Sequence, residues 1–210
     1  MTPDQIVPLT DLERDTLAEL SNIAMGRAAN SLRQMVEHQV LLSVPSVEII
    51  SKEAATQIIA NPANPTLVAV RQDFSGPFAG RALLIFPEAN SFELVRAVVG
   101  RGLPLEDIGN LEDEALAETG NIILNSWVAT IANLLKQTLK MSLPIVIRGD
   151  SRQMFRSEET QSLVLFLHIR FEISNKEIRG YVALLMDIPS IDELRSLIAD
   201  FIKNIMKSDL

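Results

Sequence analysis

Residues 11–45 read DLERDTLAELSNIAMGRAANSLRQMVEHQVLLSVP, and residues 110–144 read NLEDEALAETGNIILNSWVATIANLLKQTLKMSLP. At a constant offset of 99 residues, nine of the 35 paired positions are identical: Leu12/Leu111, Glu13/Glu112, Leu17/Leu116, Ala18/Ala117, Glu19/Glu118, Asn22/Asn121, Ile23/Ile122, Ser43/Ser142 and Pro45/Pro144. Asp15 pairs with Glu114, which keeps the charge. The similarity resumes one residue out of step. Gly80-Arg-Ala-Leu-Leu-Ile-Phe matches Gly180-Tyr-Val-Ala-Leu-Leu-Met, and Glu93-Leu94 matches Glu193-Leu194. Self-similarity at a fixed offset is the mark of a duplicated unit. A single domain over 1–210 is therefore expected, with one unit at about 9–100 and a second at about 110–206. Gly100-Arg-Gly-Leu-Pro104 reads as the connection, because two glycines and a proline break the pattern.

Each half opens with a long amphipathic helix. Thr10-Asp-Leu-Glu13 has the capping-box spacing, and Asn110 is a good cap for the second helix. Strand-like segments follow at Val40–Ile50 and Met141–Arg148, each interrupted by a proline. Pro65–Phe74 and Ser162–Ile173 are β-rich, and Ala82–Phe86 and Tyr181–Met186 are apolar runs after a glycine. Ser91–Val99 and Ile191–Met206 close the two halves as helices, and Asn61–Pro65 reads as a loop. Hairpin-like spacing within each half implies antiparallel pairing. The predicted class is α+β: a pseudo-two-fold duplication, each half a long helix, antiparallel strands and a closing helix.

Composition narrows the chemistry. The chain has 210 residues, 47% hydrophobic, which is ample for a core. With no cysteine, it has no disulfide scaffold, thiolate metal site or cysteine nucleophile. Its net charge of −8 repels phosphate backbones, and few aromatics are present for base stacking, so nucleic acid is a poor partner. No apolar run approaches the roughly 20 residues that span a bilayer, and the start Met1-Thr-Pro-Asp-Gln lacks a signal peptide's basic and apolar blocks. A soluble, cytoplasmic protein without a membrane partner is expected.

The repeated polar residues share one side of each helix. At roughly 100° per residue, Asp15, Glu19 and Asn22 fall within about 60° of one another. Leu17, Leu20, Ala24 and Ala28 lie opposite. Glu114, Glu118 and Asn121 take the same angles, with Leu116, Ile123, Trp127 and Leu134 on the core side. The acidic and amide groups should therefore face solvent in both copies. A solvated helix face ordinarily explains such residues. Solubility alone, however, would accept Lys, Gln or Arg at these places, yet Glu and Asn recur in register. Asn cannot act as a general acid or base, but it donates and accepts at once, which suits holding a water in line for attack. A glutamine does this for GTPases. With no nucleophile, metal cluster or phosphate loop beside it, a catalytic stripe of this kind lends its groups to a site on another protein.

Asp15, Glu19, Asn22 and Pro45, and again Glu114, Glu118, Asn121 and Pro144, form one pattern with 22 residues between Asn and Pro in both copies. It resembles the CheC / CheX / FliY family of phosphatases acting on the phosphorylated response regulator CheY, and is most like its CheC members. The resemblance implies that Asn22 and Asn121 enter the receiver's phosphorylation pocket and orient the attacking water. It implies that Glu19 and Glu118 pair with the receiver's active-site lysine. These four are the candidate catalytic residues. No cofactor or metal of the chain's own is implied; the receiver supplies the Mg²⁺ and the aspartyl phosphate. Family members can also bind the receptor deamidase CheD, a further candidate partner. A non-catalytic adaptor that binds a receiver or CheD is the alternative. The turn after Asn121, Ile122-Ile-Leu-Asn-Ser-Trp127, is bulkier than Ile23-Ala-Met-Gly-Arg-Ala28, so the two sites can differ in activity.

Other residues take plainer readings. Two histidines far apart, His38 and His168, do not make a metal site, and His168 is expected to be a strand residue. Trp127 is expected in the core. Gly26 suits either a close partner backbone or helix packing. Arg148, Arg152 and Arg156 read as scattered surface charge.

Overall fold

The computed structural model describes residues 9–36, 39–63, 65–99, 105–156, 162–173 and 176–208. The first half runs α1 (Asp11–Val36), β1 (Val40–Ser51), α2 (Lys52–Ile59), β2 (Leu67–Ser75), β3 (Gly80–Pro87) and α3 (Glu88–Val99). The second runs α4 (Leu105–Leu134), β4 (Lys140–Met141), β5 (Ile145–Gly149), α5 (Ser151–Met154), β6 (Ser162–Ile173), β7 (Lys176–Asp187) and α6 (Ile188–Ser208). The class is α+β, with long helices, an antiparallel sheet and closing helices, as predicted.

Thr10 caps α1 as its spacing predicts. The Glu13 carboxylate accepts from the Thr10 backbone N–H at 2.7 Å, and the Thr10 hydroxyl accepts from the Glu13 N–H at 3.2 Å. Asn110 is not a cap. The helix starts at Leu105 and runs through Gly109 and Asn110, which places Asn110 in its second turn. The connection proposed at Gly100–Pro104 lies outside the described residues. Two short helices, α2 and α5, join the predicted elements. Ser51 caps α2 by accepting from the Ala54 N–H, and Asp150 and Gln153 form a capping box on α5.

The strands form one sheet in the order β1-β6-β7-β3-β2-β4, with β5 also pairing with β2. Every pair is antiparallel. Period-2 alternation sends β3 residues Ala82, Leu84 and Phe86 to one face and Leu83 and Ile85 to the other. The first face carries the main core with α1, α3, α4 and α6. The second is covered by Ala55 and Ile59 of α2 and by Met154 and Phe155. At the centre of the sheet Leu83 faces Ala183 across β3 and β7. Gly80 at the start of β3 and Gly180 inside β7 each have a steric reason. A Cβ on Gly80 would strike the Leu185 carbonyl, and one on Gly180 would lie 2.7 Å from the Ile85 carbonyl and 2.6 Å from the Phe86 ring.

Candidate functional site

The helical wheel places the core side correctly. Leu17, Leu20, Ala24 and Ala28 of α1, and Leu116, Ile123 and Trp127 of α4, are buried. The Trp127 indole N–H donates to the Ser21 hydroxyl at 3.0 Å, and Arg27 donates to the Thr130 hydroxyl at 3.2 Å. These bonds fix α1 against α4. On the opposite side Asp15, Glu19, Glu114 and Glu118 are exposed. Beside them lie exposed apolar residues: Leu12, Ile23 and Leu111 are 55%, 40% and 36% exposed. Gly26 is also exposed, and a Cβ there would meet nothing within 4 Å, so helix packing does not require it.

The asparagines do not stand out in solvent with the carboxylates. Both are half-buried, because each lies where its helix meets a strand. Asn22 is tied to β1. Its Oδ1 accepts from the Val44 N–H at 2.9 Å, while Nδ2 donates to the Val44 carbonyl at 3.3 Å and the Ala18 carbonyl at 3.0 Å. The cause is Pro45. The β1–β6 register breaks between Ser43 and Ser46, so Val44 has no ladder partner there. Pro45 has no N–H to offer. The Asn22 amide takes both orphaned Val44 groups, which gives the 22-residue interval a structural role in the first half.

Asn121 is held differently. Its Oδ1 accepts from Gln72 Nε2 at 3.1 Å and from Asn125 Nδ2 at 2.5 Å. Gln72, on β2, also donates to the Ser142 carbonyl at 2.8 Å. Ser142 in turn bonds Asp73, donating its N–H to the Asp73 carbonyl and accepting from the Asp73 N–H. Among the described residues no hydrogen bond leaves Asn121 Nδ2. Asn22 is anchored to β1 at one edge of the sheet and Asn121 to β2 near the other. The two stripes therefore cannot converge on one reacting centre.

The repeated Glu13 and Glu112 sit at the foot of each stripe and hold arginines. Glu13 accepts two bonds from Arg195 of α6, both at 3.2 Å. Burial pushes the Glu13 carboxyl up, but the bonds from Arg195 and Thr10 outweigh it and hold the pKa below its ordinary 4.5. Arg148 is not scattered surface charge. It pairs with Asp113 at 2.6 Å, Glu112 at 3.2 Å and Glu88 at 3.9 Å, binding β5 to the start of α3 and to the N-terminal third of α4. Burial opposes its charge, yet Asp113 and Glu112 more than compensate and raise its pKa. Arg152 and Arg156 line a groove with Lys52 and Phe155, beside α2 and α5 on the other side of the sheet from α1 and α4.

His168 lies in β6, its ring edge-on to Phe166 and Tyr181. His38 lies outside the described residues. Among the described residues no three His, Asp or Glu side chains gather as a metal site, and no helix is long and apolar enough to cross a membrane.

These features define a two-sided α+β domain that presents a carboxylate, amide and apolar stripe on each of two long helices. No family model matches the chain. It is 24% identical to the CheY-P phosphatase CheC of Bacillus subtilis over 192 residues, 87% of this chain and 91% of that protein. It is 22% identical to the flagellar motor switch phosphatase FliY of the same organism over 144 residues, 68% of this chain and 37% of FliY. The solved structure of Thermotoga maritima FliY matches with a TM-score of 0.74 at 18% identity, covering 92% of this chain and 98% of that one. The chain is similar in sequence to CheC and FliY and shares its fold with FliY.

Proposed function

We propose that the protein is a phosphatase of an aspartyl phosphate on a CheY-like response regulator in chemotaxis signalling, acting in the cytoplasm. The carrying observation is the doubled stripe: exposed Glu19 and Glu118, each one helical turn from an amide, on helix sides that also carry exposed Leu12 and Ile23 in the first copy and exposed Leu111 in the second. The named functions of the B. subtilis relatives support the reading. The apolar side chains give a partner surface to bury, and the carboxylates give it a charge to recognise.

In this reading each stripe docks on one receiver domain. The glutamate pairs with a receiver lysine beside the phosphoryl group. The asparagine amide holds a water in line, and that water attacks phosphorus while the bond to the aspartate oxygen breaks, releasing inorganic phosphate. The receiver's Mg²⁺ offsets charge on the phosphoryl oxygens. This chain contributes position, which is worth several kcal/mol when the reacting atoms are well aligned. We propose further that 1–210 is one duplicated domain, a reading supported by the parallel element orders and the central Leu83–Ala183 pair.

A second reading, a non-catalytic adaptor for a receiver or CheD, is favoured at the first stripe by Asn22, both of whose amide N–H groups are engaged internally. Substoichiometric protein mixed with a phosphorylated CheY-type receiver separates the two. A phosphatase releases many phosphates per chain. An adaptor binds the receiver and leaves its decay unchanged.

A further inference from the structure

Gln72 stands out as a polar side chain inside an apolar face. Along β2 the residues facing α4 are Val68, Val70, Gln72 and Phe74, and Gln72 is 1% exposed. Its Oε1 is buried with no hydrogen-bond partner. An amide so placed loses the hydration of that oxygen without replacement. An apolar side chain of the same shape would suit packing better. Where β6 pairs with β7 as β2 pairs with β3, the position that corresponds to Gln72 is Leu167, also buried.

The bonds around Gln72 fix an orientation. The Ser142 carbonyl can only accept, so it demands the Nε2 end of Gln72. The second N–H of Nε2 then points at Asn121 and demands its Oδ1. Asn125 donates to the same oxygen. Asn121 must therefore turn its Nδ2 away from the strand. No such relay acts at Asn22, where the Val44 backbone takes both ends of the amide.

We infer that Gln72 is a positioning residue for the second site. It locks the carbonyl of Asn121 inward so that the Asn121 N–H groups face the docked receiver, where they donate to the attacking water. This rests on the phosphatase reading above and assigns the more competent site to the second helix.

The test uses the full chain with Asn22→Ala, which isolates the second site, and a phosphorylated CheY-type receiver as substrate. Adding Gln72→Met, close in volume, is expected to lower kcat by roughly ten- to a hundred-fold with KM changed less than about two-fold. The thermal midpoint should stay within a few degrees, because Gln72 already carries an unpartnered oxygen. Gln72→Leu provides a second apolar variant. In an Asn22→Ala/Asn121→Ala background, Gln72→Met should have no further effect. Unchanged kcat would overturn the inference, as would a rise in KM that tracks a fall in melting temperature. Complete loss of activity on Asn22→Ala alone would overturn it too. Full activity in Asn22→Ala/Asn121→Ala would overturn the phosphatase reading itself, and this inference with it.

Discussion

Replacing Asn22 by alanine removes three hydrogen bonds at once. Two of them belong to Val44, which is 3% exposed and cannot turn its N–H and carbonyl to water without disturbing the β1 bulge. Leaving a buried backbone group unpaired costs about 1–3 kcal/mol, and about 2 kcal/mol is the expected loss here because partial relaxation admits some water. For a domain of this size each kcal/mol lowers the melting temperature by roughly 2–4 °C, so Asn22→Ala should melt roughly 4–8 °C lower. Asn121→Ala should cost less, about 1 kcal/mol, because it leaves one buried N–H of Gln72 unpaired where Asn22→Ala leaves two groups of Val44. Gln72 keeps its bond to the Ser142 carbonyl, and the half-buried Asn125 amide can reach solvent. Urea unfolding of both variants, followed by circular dichroism with matched m-values, measures the difference directly. Equal midpoints for Asn22→Ala and wild type, or a larger loss for Asn121→Ala, would refute the reasoning about Val44.

Other outcomes follow from the same structure. Glu13 has a depressed pKa in the fold, so its pairing with Arg195 contributes stability that is fully present above about 4.5 and fades as pH falls through the folded value. Glu13→Gln should therefore be less stable than wild type at pH 7, and the gap should close in acid. A gap unchanged from pH 7 to pH 3 would contradict this. Gly180→Ala forces a Cβ against the Ile85 carbonyl and the Phe86 ring at the sheet centre, which should cost about 2–3 kcal/mol or more. Gly26→Ala adds a Cβ in open space and should leave stability unchanged or raise it by up to about 1 kcal/mol. Its effect on receiver affinity then reports on docking alone, measured by titration calorimetry against the receiver.

The elements visible in the sequence were those with long periodic signals or an in-register copy. The α1 start at Thr10–Glu13, the core sides of α1 and α4, and the strands at 162–173 and 181–186 all came from local pattern. The short helices α2 and α5 did not, because 8 and 4 residues give too little periodicity to separate from a loop. The wheel put Asn22 in solvent because it describes one helix and cannot see β1 beside it. The bond from Asn22 to Val44 joins residues 22 apart through a proline bulge, which no local pattern encodes. The role of Arg148 is hidden from local pattern for the same reason, since its partners Glu88, Glu112 and Asp113 lie distant in the chain. Gln72 had one usable signal. It occupies an apolar position in the alternation Val68, Val70, Gln72, Phe74, where a buried amide needs an explanation.

The central claim is that the asparagine amides, held at the edges of two helices, speed hydrolysis on a partner. Its most direct test is the decay of a phosphorylated CheY-type receiver, timed with wild type and with Asn22→Ala/Asn121→Ala at equal, verified folded concentration. Decay should fall to the receiver's intrinsic rate with the double variant while the complex still forms. Decay as fast as with wild type would contradict the account.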